Sequence, residues 1–560
     1  MTNTSRFRIR RTHIVATLAL TALAAGVAAY AHDGPHDHDF HFWPGNLVVS
    51  RSVYDNNASN VQVGQVLPPH CPAASGACGD ASGAPYDGTY PTVWNNDIYD
   101  ASFGITSRIY LDQITPNGWL IDTLEVPNSM LPAAREGELV TSFSSKSELA
   151  LHLSLDGRYL SFMGYVAPVN AIDVSNANTP LAVDDTNPDG NVAYRAVAVV
   201  DGNGHFRFTQ TNAYSGNNGR VAIFNNVDGA NVIYTAGNAG NGSNPQPDGV
   251  VLGAGAQYIV PSSLPEALQN PTTPAPLASF SVTTLGAKAD KIGKDDNFRG
   301  MTVFNNVLYL TKGSGSNGVN TVYFVDTTGN ACPHGIGVPA AGASLPTSAL
   351  PYNAATLQTS GLPTNMCILA GFPSTPNKTA QTLAYPFALW FADANTVYVA
   401  DEGDGYTGGT DLYTHAAAQT TAGLQKWVFN KKTQTWSLAY TLQAGLNLGQ
   451  PYTVRNYPTG TNVATNLPWS PAADGLRQIT GRVDEDGKVT IWATTSTISG
   501  NGDTGADPNK LVAIRDTLSN TSAAGAASEQ FVTLRSARFG EVLRGVSFTP
   551  GTDKQGKGRH

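Results

Sequence analysis

The sequence is short of charge, of cysteine and of long apolar runs. Charged residues fill 13% of its 560 positions, about half the share near 25% of an ordinary soluble domain. Lys, Glu and Leu are sparse and turn formers dense, which argues against a coiled coil or helical bundle. Positive charge is the scarcer sign, with 33 Lys and Arg against 42 Asp and Glu, a net charge of −9. No basic stripe runs along the chain, so nucleic acid is a poor partner. The one sustained apolar run, residues 14–29, falls short of the roughly 20 residues that span a bilayer. No CxxC pair exists, which weighs against zinc.

What is present is a core-forming, turn-rich chain. Hydrophobic residues make up 41%, with 22 Tyr, 20 Phe and 8 Trp beside 57 Gly and 34 Pro. This composition excludes a disordered chain. Arg6, Arg8, Arg10 and Arg11 precede the apolar run, and Ala29-Tyr30-Ala31 ends it. That is the layout of an export signal, residues 1–31, cleaved after Ala31. Arg10-Arg11 leave twin-arginine export open beside the general route. The expected address is periplasmic or extracellular, with no transmembrane anchor after cleavage. Cleavage removes four arginines and no acid, so the mature chain is more acidic still. In an oxidising compartment the four cysteines pair as Cys71–Cys78 and Cys332–Cys367.

Helical periodicity is almost absent. Short strands alternate with Gly-, Asn- and Asp-rich turns, and one unit recurs. ELALHLSLDGRYLSFMGY (148–165), RVAIFNNVDGANVIYTAG (220–237), RGMTVFNNVLYLTKG (299–313), FALWFADANTVYVADEG (387–403) and RQITGRVDEDGKVTIWAT (477–494) align as strand, tight turn, strand. A last unit, RGVSFTP (544–550), stops after one strand. NLVVSRSVY and SRIYLDQITPNGWLIDTLEVP near the chain start supply the missing strands. Repeats of roughly 65 to 90 residues with four strands each are propeller blades with long loops. The expected fold is therefore all-β. It is a single six-bladed β-propeller over 46–550, closed by pairing the C-terminal strand with the N-terminal ones. Seven blades is the alternative, if 195–215 forms one of its own. Residues 32–45 are a His-rich tail and 551–560 an unstructured one. Loops 55–107 and 330–384, each with one cysteine pair, are expected as covers over one face.

Three features carry candidate chemistry. Arg220, Arg299, Arg477 and Arg544 recur at the start of four inner strands, with Glu148 and Pro386 in the equivalent place elsewhere. Such a ring binds an anion. Alternatively each arginine pairs with an acid three residues earlier (Asp296, Asp474, Glu541) and ties blades together. The loops AGNAGNGSN (236–244), TKGSGSNGVN (311–320), ADEGDGYTGGTD (400–411) and SGNGDTGAD (499–507) concentrate oxygen ligands suited to calcium. Asp401, Glu402 and Asp404 are their densest point, although solvated turns favour the same residues. His32, His36 and His38 in the tail, with His41, suit copper, nickel or zinc. No GxSxG elbow or phosphate-binding loop lies between a strand and a helix.

Residues 391–405 (FADANTVYVADEGDG) resemble the NHL and SMP-30/gluconolactonase-like propellers. Residues 154–162 (SLDGRYLSF) resemble the WD40-like and YVTN/quinoprotein-like ones. The first resemblance implies a metal at the channel mouth held by residues from different blades, and Glu148, Asn238, Asn317 and Asp401 take those places here. It also implies hydrolysis of a lactone, ester or phosphoester by metal-activated water. The expectation is an exported monomer with a channel-mouth site for calcium and a small anionic or sugar-like ligand. If it is an enzyme, it is a metal-dependent hydrolase. The alternatives are a non-catalytic propeller binding a glycan or protein, and a quinone- or copper-dependent oxidoreductase.

Overall fold

Turn chemistry and strand pairing together shape the molecule. The computed structural model describes residues 40–64, 104–128, 139–180, 192–238, 254–261, 275–288, 295–350, 354–359, 365–461, 466–500 and 505–553, apart from single positions 56, 58, 61 and 173. The export signal, His32, His36, His38 and the Cys71–Cys78 pair lie outside the described residues. Among the described residues no helix is long and apolar enough to cross a membrane.

The strands form six antiparallel blades. Blade 1 holds His152–Leu153, Tyr159–Tyr165, Arg195–Asp201 and Phe206–Thr211. Blade 2 holds Gly219–Asn225, Val232–Gly237, Ala256–Ile259 and Pro276–Ala278. Blade 3 holds Gly300–Phe304, Val307–Lys312, Thr321–Val325 and Met366–Leu369. Blade 4 holds Pro386–Asp393, Thr396–Asp401, Gly423–Asn430 and Thr435–Leu442. Blade 5 holds Ala472–Val483, Lys488–Ile498, Lys510–Thr517 and Val532–Ser536. Blade 6 is split: Glu541–Phe548 is its inner strand, followed by Leu47–Val53, Thr106–Ile114 and Leu120–Glu125 from the other end of the chain. The inner strands contact one another in turn and the sixth meets the first, so the ring is closed. Residues 195–211 are the outer half of blade 1, which disposes of a seventh blade.

Local sequence accounts for the hairpins. Asn305 and Asn306 take positive φ, 48° and 60°, as a two-residue turn with right-handed twist requires. Close inner packing demands glycine. A Cβ on Gly545 would stand 2.3 Å from Leu149 O, and one on Gly300 the same distance from Phe387 O, both in the next blade. Side chains between blades interlock into shared cores. Met301 and Tyr323 of blade 3 pack with Val221 and Tyr234 of blade 2, and Tyr398 of blade 4 with Ile491 of blade 5.

One hydroxyl link recurs between blades. A Ser or Thr on the second strand donates to a carbonyl on the next blade's inner segment: Ser50 to Leu149 (2.8 Å), Ser161 to Ala222 (2.8 Å), Thr311 to Phe387 (2.7 Å) and Thr494 to Arg544 (2.9 Å). Ser50 and Thr494 also accept the Gly545 and Gln478 N–H groups of their own inner strands. Ser50 and Thr494 thus satisfy an irregular inner strand and fasten it to its neighbour.

Two boundaries and one loop placement differ from expectation. The body begins by Phe42, which is fully buried, because its ring fills the core between blades 6 and 1. It runs past 550: Gly551 donates to Gly157 O (2.7 Å), and Thr552 Oγ1 accepts the Gly45 N–H (2.8 Å). The Cys332–Cys367 disulfide forms as expected. Its segment is not a cover over one face, however. Ile336–Gly337 adds a fifth strand to blade 3, Tyr234 of blade 2 donates to Pro346 O, and Asn377 grips loop 315–320. Unpaired strand edges attract it outward.

Thr494→Val removes the hydroxyl that the Arg544 carbonyl and Gln478 N–H share. It should destabilise the fold by about 1–3 kcal/mol, seen as a lower denaturant midpoint with unchanged circular dichroism. Ser437→Ala, on an exposed position, should stay within about 0.5 kcal/mol.

Candidate functional site

The four recurrent arginines do converge on the end of the ring where inner strands begin, and all are buried. Arg220 is the second residue of its strand, and Arg299 immediately precedes Gly300–Phe304. Arg477 and Arg544 stand where pairing register shifts. Such bulges re-aim side chains.

None of them pairs with the acid three residues earlier. Asp296 accepts the Phe280 N–H (3.1 Å), Asp474 takes the Gly405 N–H (3.0 Å) and the Gln419 amide, and Glu541 holds Arg51 (3.0 Å). Arg220 instead reaches the Asn297 side chain and the Phe298 carbonyl, and Arg299 donates to Ser147 Oγ (3.0 Å). Arg544 donates to the carbonyls of Phe143 and Ser145.

A carboxylate and an ammonium that the motif reading assigned differently or missed organise the centre. Glu402 follows the second strand of blade 4. Its Oε2 lies 3.2 Å from Lys146 Nζ and 3.5 Å from Arg477 Nε. Lys146 rides on a segment, 143–148, that leads into blade 1 and is held by Arg544 and Arg299 from blades 6 and 3. Lys146, with 29% of its side chain exposed, is more open than Glu402 at 3%. All six blades therefore contribute to one cluster: Lys146 and Glu148, Arg220, Arg299, Glu402, Arg477 and Arg544.

Its electrostatics are lopsided toward positive charge. Burial, then Arg299, pushes the proton affinity of Arg220 well down. Burial and Arg477 do the same to Arg299, while Glu402 opposes them. Lys146 is lowered by burial, with Glu402 opposing and both neighbouring arginines adding to the effect. Glu402 moves the other way: burial would raise it, but Lys146, Arg299 and Arg477 outweigh that and hold it below the usual carboxylate range. A guanidinium stays charged in a protein, so positive charge is concentrated at this end of the ring. The Nε groups of Arg220 and Arg299 have no hydrogen-bond partner among the described residues.

The expected calcium ligands are already engaged. Glu148 accepts from Thr141 Oγ1 (2.6 Å), the Ser142 N–H (3.0 Å), Asn218 Nδ2 (2.9 Å) and the Tyr165 hydroxyl. Asp401 accepts from Tyr385 N (2.8 Å), Gly403 N (3.0 Å) and Gln425 Nε2 (3.1 Å). Asn238 donates to Asn217 Oδ1 (2.6 Å). Asp404 meets His415 Nε2 at 2.6 Å, with the Tyr406 ring stacked on that imidazole. Loop 312–320 is built around a different cation, the buried Lys312 ammonium. It donates to Ser314 O (2.8 Å), Asn317 O (2.7 Å) and Asn320 Oδ1 (3.1 Å). Among the described residues, the one set of three acid, His or Cys ligand atoms within 4.8 Å is Asp326 with the two disulfide cysteines. Among the described residues, the carboxylates expected as calcium ligands do not bring three ligand atoms within 4.8 Å of one another.

No family model matches the chain, and no curated protein matches it. Among solved structures it is similar to a sialidase from Streptococcus pneumoniae at 7% identity and TM-score 0.29, over 70% of this chain and 60% of that one. It is also similar to an ulvan lyase (12%, TM-score 0.29, 79% and 91%). A third is a family 43 arabinoxylan arabinofuranohydrolase from Bacillus subtilis (12%, TM-score 0.23, 80% and 93%). No residue role is carried over from them.

Two rim carboxyls have testable titrations. Burial first, then Asp404 and Glu402, raises Asp474 to about 7, and burial raises Asp401 to about 6. The folded state therefore holds protons that an unfolded Asp releases near pH 3.9. Their contribution to stability is complete below about pH 4 and is lost as pH rises toward 7. Asp474→Asn should flatten this decline in the denaturant midpoint, and an unchanged pH profile would show that Asp474 is ionised in the fold.

Proposed function

We propose that this chain is an exported propeller that binds a small anion, a carboxylate, sulfate or phosphate group, at the mouth of its channel. One observation carries the reading. Buried guanidinium groups from blades 2, 3 and 5 and an ammonium beside blade 1 gather around a single carboxylate, and two of the guanidinium Nε donors have no partner among the described residues. Paired charge of this kind is stable only when counter-charge matches it. Glu402 supplies one negative charge, and Glu148 is spoken for by its own donors. A ligand anion completes the balance, with the planar fork of each guanidinium suited to two-oxygen groups. The Cys332–Cys367 disulfide fits the oxidising compartment that export implies.

Thermal unfolding tests the reading. Sodium sulfate and sodium glucuronate, at ionic strength matched with sodium chloride, should raise the melting temperature by a few degrees, and glucose should not. Saturation at a hundredfold over Kd corresponds to about 2.7 kcal/mol. Arg299→Gln and Arg477→Gln should each abolish most of the rise. An equal rise in both variants and the parent protein overturns the assignment.

A further inference from the structure

A cavity of different chemistry lies between blades 3 and 4. It sits beside their first tight turns, at the opposite end of the inner strand Gly300–Phe304 from Arg299. It encloses about 320 Å³, at the lower end of the roughly 300–1,000 Å³ of small-molecule sites. Phe304 and Tyr309 of blade 3 and Phe391, Phe429 and Trp436 of blade 4 line it. Their rings touch in sequence. Phe304 stacks on Phe391 with centroids 4.6 Å apart, Phe391 meets Tyr309 (4.6 Å) and Trp436 (5.9 Å), and Phe429 meets Trp436 (5.2 Å). Rings that fix one another in this way hold a definite shape.

The remaining wall is chain from the disulfide segment, between Val338 and Ala343. It is fastened on both sides. The Cys332–Cys367 bond and the pairing of Ile336–Gly337 with Met366–Leu369 hold its start. The Thr327 hydroxyl holds its end, donating to Ser344 O (2.9 Å) and accepting the Ser344 N–H (3.1 Å). Unlike the channel mouth, the cavity has no charged residue in its lining. Two of its wall residues do carry polar groups that the fold leaves over. Tyr309 and Trp436 are each only 6% exposed, yet neither the Tyr309 hydroxyl nor the Trp436 indole N–H has a hydrogen-bond partner among the described residues. Burial alone pushes the Tyr309 phenol up, with no charge or hydrogen bond contributing. A buried donor without a partner costs free energy, and the cavity is the open space that both side chains border.

Aromatic walls favour a flat ring, and uncharged walls disfavour an ion. A saccharide would leave most of its hydroxyls unpaired against such walls. An indole N–H only donates, and a phenol donates or accepts, so the occupant must bring oxygen acceptors. We infer that this cavity binds a small uncharged aromatic molecule with oxygen acceptors, of the methoxyphenol or aromatic carbonyl kind. Its ring lies against Tyr309, Phe391 and Trp436, and its oxygens take up the Tyr309 hydroxyl and the Trp436 N–H. The site is separate from the anion site and does not rest on it.

Titration of the whole protein with guaiacol, coumarin and acetophenone, read by ligand-observed NMR and calorimetry, tests this, with cyclohexanol as the non-aromatic control. At least one of the three should bind saturably, and cyclohexanol about tenfold or more weaker. Tyr309→Phe keeps the ring and removes an unpartnered hydroxyl, so it should weaken binding by about fivefold while melting with the parent protein. Ala394→Trp, at an exposed position of the lining, should obstruct the cavity and weaken binding by about tenfold or more. Arg299→Gln should retain all of the affinity. The proposal is overturned if none of the three binds, if cyclohexanol binds as well as they do, if binding survives Tyr309→Phe and Ala394→Trp unchanged, or if Arg299→Gln removes it.

Discussion

Everything in this protein depends on one strand pair. Leu47–Val53 and Glu541–Phe548, from opposite ends of the chain, join as neighbours in blade 6. Without that pairing the sixth blade is a lone strand and its neighbours carry open edges, which invite association with other chains. With it, six inner strands form a ring, and a channel mouth exists for side chains to meet around. The pairing is also local to the site. Its irregular step lies where Arg544 leaves the strand, and Ser52 on the partner strand accepts from that guanidinium (3.2 Å).

Two kinds of polar contact divide the work. The hydroxyl links of Ser50, Ser161, Thr311 and Thr494 are neutral, short and fully satisfied, and they hold blade to blade. The charges at the mouth are the opposite case. They are buried, mostly of one sign, and only partly compensated by Glu402. Burial of charge costs free energy unless it is paired or hydrogen-bonded, and Arg220, Arg299 and Arg544 offset part of that cost by donating to segments of other blades.

Much of this was legible beforehand. Strand, turn and strand recurring five times, with a sixth unit cut off after one strand, is a local pattern, and local patterns survive in sequence. The arginines were legible too, since they recur at one place in the repeat. Their partners were not. Pairing each with the acid three residues earlier fails because those acids are taken by other donors, Asp296 by the Phe280 N–H, Asp474 by the Gly405 N–H and the Gln419 amide, and Glu541 by Arg51. The calcium expectation drew on Gly, Asn and Asp, residues that turns favour as strongly as metals do. Lys312 supplied the positive centre of one such loop from within the chain. Lys146 carried no signal, since a single lysine in a serine-rich loop looks like any other.

The sequence by itself determined the all-β propeller architecture, the closure between chain ends, the Cys332–Cys367 disulfide and the places where arginine recurs, while the tertiary structure decided for six blades over seven. The former follow from turn residues and alternation within a few tens of residues. Only the tertiary structure decided that Arg299 faces Ser147, that Arg477 and Lys146 share Glu402, and that Tyr309 and Trp436 line one cavity. Ring closure brings together residues from blades far apart in the chain, and electrostatic interaction depends on distance through space.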